Sequence, residues 1–195
     1  MGNKGASFER DISRQLSLWW THEKRDDVFW RSSMSGGRAT VRAKKGQKTA
    51  YQNGDITATD PISSPLIENV VIELKRGYKK WGVLDLLDSA KPEKSTLAGF
   101  LAQVEEECKN AGVSAFMLIC KRDGRKPIVL FPIGMLSLIC YANLGNGYMI
   151  NTYIPSIQNN IVCITLDRFL SIPPEEILES TKRYNNAEHD TEARK

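Results

Sequence analysis

The chemistry-bearing residues are two acids and a lysine: Asp55, and the triplet Glu73-Leu74-Lys75. Ile67 to Lys75 carries the strongest strand pattern in the chain. Val70, Val71, Ile72 and Leu74 form the nearly continuous apolar run of a strand buried on both faces. Glu73 and Lys75 interrupt that run at its end, two residues apart and therefore on one face. Charges in such a place are costly unless they are paired or bind an ion. Asp55 opens the preceding strand, Asp55-Ile56-Thr57-Ala58-Thr59. If the two strands pair as an antiparallel hairpin, Asp55 and Glu73 meet at one end. Two carboxylates that close repel each other and favour a divalent cation between them. Mg²⁺ suits the set, because it takes few carboxylates, several waters and a substrate phosphate. Mn²⁺ is expected to substitute, and the Leu74 carbonyl is a further candidate ligand. Lys75 would orient or deprotonate an attacking water, or neutralise charge building on a phosphoryl group.

These groups must be positioned by the elements around them. Residues 5–20 read as a helix, with Phe8, Ile12, Leu16 and Trp19 at helical spacing. Glu9 falls at the edge of that apolar stripe, where an acid needs a reason. It either holds a water of the metal or sits at the rim, paired with Arg10 or Arg14. Val28 to Arg31 reads as a short strand, followed by the small-residue loop Ser32-Ser33-Met34-Ser35-Gly36-Gly37. Leu97 to Ala111 is an amphipathic helix that Gly112 can cap. Val113 to Lys121 is a second buried strand, and Asp123-Gly124 turns it into a hairpin with Pro127 to Phe131. Gly134 to Leu144 is a weaker helix pattern, with strands expected at 147–154 and 161–166. Pro173-Pro174-Glu175-Glu176 opens another helix. The polar stretch 181–195 is expected to be a disordered tail.

Composition narrows the options. The chain has 195 residues, 41% of them hydrophobic and 26% charged, enough for one domain with a real core. No run of 18 apolar residues exists, so no membrane span is expected. Cys108, Cys120, Cys140 and Cys163 form no Cys-x-x-Cys pair and sit among apolar neighbours, as buried reduced thiols do. That points to a reducing, cytoplasmic setting, or a host cytoplasm if the chain is viral. With only His22 and His189, a histidine metal site or a Ser-His-Asp triad is hard to build. Charge is uneven. Residues 1–82 hold 15 Lys or Arg against 9 Asp or Glu, whereas the rest of the chain is slightly acidic. The densest basic stretch is Arg38, Arg42, Lys44, Lys45 and Lys48, and a second cluster is Lys75, Arg76, Lys79 and Lys80. Such clusters suit a polyanion, most often nucleic acid, or form a solvated loop.

The ordered set of residues resembles the PD-(D/E)XK nuclease superfamily. Glu9 lies on a helix, Gly54-Asp55 on a strand and Glu73-Leu74-Lys75 on the next. Within the superfamily it looks most like archaeal-type Holliday-junction resolvases. These share the Gly-x-x-x-Glu-Arg pattern, here Gly5 to Arg10, and the Arg-Ser-x-x-Ser loop, here Arg31 to Ser35. The likeness covers roughly residues 4–132. Gly54 replaces the proline of the superfamily's name, and the stretch from Ser35 to Asp55 is longer than in compact resolvases. A second Glu-x-Lys, Glu107-Cys108-Lys109, falls inside a helix and lacks the strand geometry. Gln103 lies where some relatives place a catalytic glutamine, although a solvent-facing glutamine is the expectation here.

The resemblance implies a restriction-endonuclease-like α/β core in the order αβββαβ, with a mixed central sheet flanked by helices. The nuclease core would span 1–132 with a basic insert at 36–54. A C-terminal extension at 133–180 would pack on it, with a disordered tail at 181–195. The implied activity is Mg²⁺-dependent, structure-selective DNA cleavage, with Holliday-junction resolution by a homodimer as the leading form. A restriction-type or repair nuclease and a non-catalytic DNA-binding protein on the same fold are the alternatives. The implied catalytic residues are Glu9, Ser32, Ser35, Asp55, Glu73 and Lys75, with Glu9, Asp55, Glu73 and Leu74 at the metal. Arg31, Arg38, Arg42, Lys44, Lys45, Lys48, Arg76, Lys79 and Lys80 would face DNA.

Overall fold

The computed structural model describes residues 4–32, 54–78, 81–137 and 161–192. Helix α1, Lys4–Trp20, forms where the apolar stripe places it, and Phe8, Ile12, Leu16 and Trp19 are all buried. Along the same buried side runs a ladder of small hydroxyls. The side chains of Ser13, Ser17 and Thr21 each donate to the carbonyl four residues earlier, at 2.8 Å. Small side chains let a strand approach closely, and the Phe29 N–H donates to the Ser17 Oγ at 2.9 Å.

That strand is β1, Phe29–Arg31, which pairs antiparallel with β2, Ile56–Ala58. A 3₁₀ turn at Pro61–Ser63 and the short helix α2, Ser64–Ile67, then lead into β3, Val71–Arg76. The hairpin expected between the Asp55 and Glu73 strands is therefore absent. β2 takes β1 as its partner, and the Asp55 N–H donating to the Ile72 carbonyl at 2.8 Å carries the contact with β3.

β3 crosses through helix α3, Thr96–Ala111, to β4, Phe116–Lys121, which lies parallel to it. Ser95 caps the start of α3 through Ala98 N–H, and Gly112 closes it at φ +72°, a left-handed backbone that suits glycine. β4 turns back antiparallel into β5, Ile128–Pro132, as the Asp123-Gly124 signal implies. β6, Ile161–Thr165, pairs with the outer side of β5 and completes a four-stranded mixed sheet in the order β3-β4-β5-β6. The chain continues through α4, Leu166–Phe169, into α5, Pro174–Glu192.

The sheet is buried on both faces. Ile72, Leu74, Met117, Ile119, Val129 and Phe131 pack toward α1, β1, β2 and α4. Val71, Phe116, Leu118, Cys120 and Leu130 pack toward α3, against Phe100, Leu101 and Val104. This mixed α/β layering is compatible with a PD-(D/E)XK core. The strands are nevertheless divided between a two-stranded ribbon and the four-stranded sheet, and residues after 160 supply an edge strand of that sheet.

The tail expected to be disordered from residue 181 is instead helical as far as Glu192. Its polar composition hides an inward-facing spacing of Ile177, Thr181 and Asn185, all buried, with Tyr184 half-buried beside them. The Asn185 side chain accepts from the backbone N–H groups of Ser114 and Ala115 at 2.9 and 3.0 Å and donates to the Asn69 carbonyl at 2.9 Å. It thereby ties together the chain segments entering β4 and β3. A 3₁₀ turn at Ile133–Met135 lies at the start of the helix expected at Gly134–Leu144; the rest of that helix and the strand expected at 147–154 fall in residues 138–160, outside the described residues. Cys108, Cys120 and Cys163 are buried free thiols, as anticipated.

Candidate active site

Alternation along β3 sorts its charges. Val71, Glu73 and Lys75 face α3, while Ile72, Leu74 and Arg76 face α1. The Lys75 ammonium donates to Glu73 Oε1 at 2.6 Å, and both side chains are buried. Asp55 reaches the same end of the strand from the start of the ribbon. Its Oδ2 accepts from the Leu74 N–H at 2.9 Å, and the Ser32 N–H donates to its carbonyl at 2.7 Å. Gly54 makes this approach possible. Its φ is +84°, and a Cβ there would stand 2.6 Å from the Ile72 carbonyl oxygen. Proline, confined near −65°, cannot occupy that backbone.

Helix α3 supplies a residue that the sequence undervalued. Gln103 is exposed, as expected, and its amide also reaches the charged pair. Its Oε1 accepts from Lys75 Nζ at 2.8 Å, and its Nε2 donates to Glu73 Oε1 at 3.0 Å and to Glu107 Oε1 at 3.2 Å. Glu107 belongs to the helical Glu-x-Lys set aside as lacking strand geometry, and it still borders the site. The signal was in the spacing. Positions 100, 103 and 107 share one helix face, and Phe100 on that face lies 5.5 Å beneath the Lys75 ammonium.

Electrostatics follow from burial. Removal from water pushes the Glu73 carboxyl up to about 8 from 4.5, with Asp55 and Glu107 adding repulsion against the pull of Lys75. Burial likewise raises Asp55 from 3.8 to about 6, with Glu9 and Glu107 adding to the push while the Leu74 N–H and Lys75 oppose it. Burial alone would lower Lys75, but Glu73 outweighs it and the net shift is upward. The lysine thus enters the site as an ammonium. Both carboxyls hold their protons more tightly than free acids do, and a divalent ion taking the place of those protons would offset the cost of burying two carboxylates beside one ammonium.

Among the described residues, neither Asp55 Oδ1 nor Glu73 Oε2 has a hydrogen bond, so each acid has an oxygen to offer. No cluster of three His, Cys, Asp or Glu poised to hold a metal occurs among the described residues, although Glu9 lies near enough to add to the upward push on Asp55. Glu9 approaches Arg31, Oε2 to Nη1 at 3.5 Å, on the side of the sheet that carries α1. A pair of carboxylates still fits an ion that keeps several waters.

The structure divides the remaining residues that the sequence singled out. Ser32 is buried at the site's edge. Arg76, expected to face DNA, pairs with Asp123 at 3.3 Å and lies over the Phe8 ring at 5.7 Å. Ser35, Arg38, Arg42, Lys44, Lys45, Lys48, Lys79 and Lys80 lie outside the described residues. No helix among the described residues is long and apolar enough to cross a membrane.

No curated protein and no solved structure matches the chain. A family model does match, over residues 2–179, and its description is phage putative PDDEXK endonuclease. That span includes α1, both sheets and every residue of the candidate site. The chain belongs to this family of PD-(D/E)XK endonucleases.

Proposed function

We propose that the chain is a Mg²⁺-dependent, structure-selective DNA endonuclease, acting on branched DNA as a Holliday-junction resolvase does. The observation that carries the reading is the trio at the end of β3. A buried Glu73–Lys75 pair at 2.6 Å lies beside Asp55, with both acids raised by burial and an oxygen of each open toward a cation. Asp55 and Glu73 would hold the ion, which supplies Lewis-acid polarisation of the scissile phosphate. Lys75, kept as an ammonium by Glu73, donates to the phosphoryl oxygens or to the attacking water. Gln103 fixes the Lys75 and Glu73 side chains relative to each other. Arg31 steers Glu9 at the site's margin, and Ser32 and Ser35 shape the loop entering it. The basic residues around 38–48, with Lys79 and Lys80, supply phosphate contacts.

The resolvase form rests on the order of Gly5, Glu9-Arg10 and Arg31-Ser32 before Asp55. Two symmetric cuts across a four-way junction need two sites, which a two-fold homodimer provides. The test is cleavage of a four-way junction, a flap, a linear duplex and a single strand side by side, with Mg²⁺, with Mn²⁺ and with chelator. Metal-dependent cutting of the junction in preference to the duplex is expected, and Asp55→Asn and Glu73→Gln should abolish it. Equal cutting of duplex and junction moves the reading to a restriction-type or repair nuclease. Tight binding without cutting under any metal makes the chain a DNA-binding protein on a nuclease fold.

A further inference from the structure

Beyond Lys75 the aromatic side chains form a connected series that the cleavage chemistry does not use. Lys75 Nζ lies 5.5 Å from the centroid of the Phe100 ring. Tyr78 packs edge-on against that ring, with centroids 4.8 Å apart, and Trp81 meets it from another side at 6.3 Å. The Arg122 guanidinium backs Trp81 at 5.4 Å and donates to its carbonyl at 3.1 Å. Phe100 and Trp81 are buried, whereas Tyr78 keeps 47% of its surface exposed. Gly77 allows this placement. Its φ of +93° bends the chain immediately after β3, so that Tyr78 leaves the strand and lies against α3.

An exposed aromatic ring, braced from behind and next to the lysine of a candidate nuclease site, has the properties of a base-stacking platform. The two residues that follow it in sequence, Lys79 and Lys80, match the charge of the phosphate backbone that would accompany such a base. We propose that Tyr78 stacks on an unpaired nucleobase next to the scissile phosphate, and that this contact makes the protein prefer DNA with a local break in base stacking. The inference rests on the nuclease reading above and names the feature of the substrate that the site selects. In a continuous duplex both faces of every base are already covered. At a branch point or flap one face is available at little unstacking cost.

The test uses the full chain carrying Asp55→Asn, with a four-way junction and a linear duplex that each hold 2-aminopurine, at the crossover or at the centre. Anisotropy reads binding, and 2-aminopurine emission reads stacking. With Tyr78 present, emission in the junction complex should be lower than with Tyr78→Leu. Tyr78→Leu should weaken junction binding about 5- to 100-fold, the range for stacking one base on an aromatic side chain. Duplex affinity should stay within about twofold, and Tyr78→Phe should retain both junction signals. A leucine side chain still packs on Phe100, which guards against a loss that only reflects loosening of the loop. Equal junction affinity and emission with and without the Tyr78→Leu substitution would overturn the stacking assignment while leaving DNA binding intact. A protein that binds neither DNA overturns the nuclease reading and this inference together. A variant whose sedimentation shows that a dimer has come apart makes the surface around Tyr78 a subunit contact, which also overturns the assignment.

Discussion

Replacing Asp55 with asparagine should make the metal-free protein more stable while removing its activity. The folded state raises this carboxyl from 3.8 to about 6, chiefly by burial. A folded-state value above the unfolded one means that the native protein holds its proton more tightly, so stability falls as pH rises between the two values. Below the unfolded value both states are protonated and the effect vanishes. Above about pH 6 it is fully expressed. A rise from 3.8 to about 6 corresponds to about 3 kcal/mol. Asparagine can still accept the Leu74 N–H, and it leaves Glu73 and Lys75 as a balanced pair. Asp55→Asn should therefore raise the melting temperature at pH 8 in chelator by roughly 6–12 °C for a chain of this size. The gain should shrink toward zero near pH 4. Adding millimolar Mg²⁺ should reverse the order, because only the wild type gains binding energy from the ion. Differential scanning fluorimetry across pH, with chelator and with Mg²⁺, reads all of this. A variant that melts at or below the wild type at pH 8 in chelator would refute the argument.

Four further outcomes follow from other contacts. Lys75→Ala should lower turnover about a hundredfold or more with little change in DNA affinity, measured by single-turnover cleavage and anisotropy. Gln103→Ala should reduce kcat at least about tenfold with KM nearly constant, because it frees the Lys75–Glu73 geometry without removing a charge; a change confined to KM would make Gln103 a DNA contact. Gly54→Ala should cost about 2 kcal/mol or more in urea unfolding, since both its left-handed backbone and the Ile72 carbonyl oppose a Cβ. Asn185→Ala should cost about 2–4 kcal/mol in the same assay, because it strips partners from three backbone groups at the entrances to β3 and β4.

Much of this site could be read before the fold was known. Glu73 and Lys75 betrayed themselves by breaking an apolar run, and strand alternation placed them on one face. α1, α3, β4 and the β4–β5 hairpin were visible because apolar periodicity, a capping glycine and a turn signal agreed in each. The partner of β2 was not legible. Pairing between short strands is decided by packing, and here the small hydroxyls of α1 draw β1 in beside it. Gln103 is exposed, as expected, but its contact with Lys75 and Glu73 was not legible, because a polar residue on a helix carries no mark of what lies across from it; only its shared face with Phe100 and Glu107 hinted at it. The start of α5 was marked by Pro173 to Glu176, but its second half, from residue 181, was missed for a related reason. Its inward residues Thr181 and Asn185 are polar, and Asn185 serves the backbone groups at the sheet entrances, so the hydrophobic spacing that identifies a helix is thin there.

The tie made by Asn185 also bears on the order in which the protein can form during synthesis. β3 and β4 are adjacent in the sheet and joined by α3, so their pairing needs only sequence up to Lys121. Two N–H groups and a carbonyl where those strands begin have their partner 116 residues or fewer further along the chain, in the last helix. β6, which covers the outer side of β5, also arrives late. A nascent chain released from the ribosome to residue 137 therefore holds Glu73 and Lys75 on a sheet whose entrances and edge are still open to water. The contacts among Asp55, Glu73, Lys75 and Gln103 need only the first part of the chain, whereas the Asn185 tie and the β5–β6 pairing form after α5 and β6 have emerged.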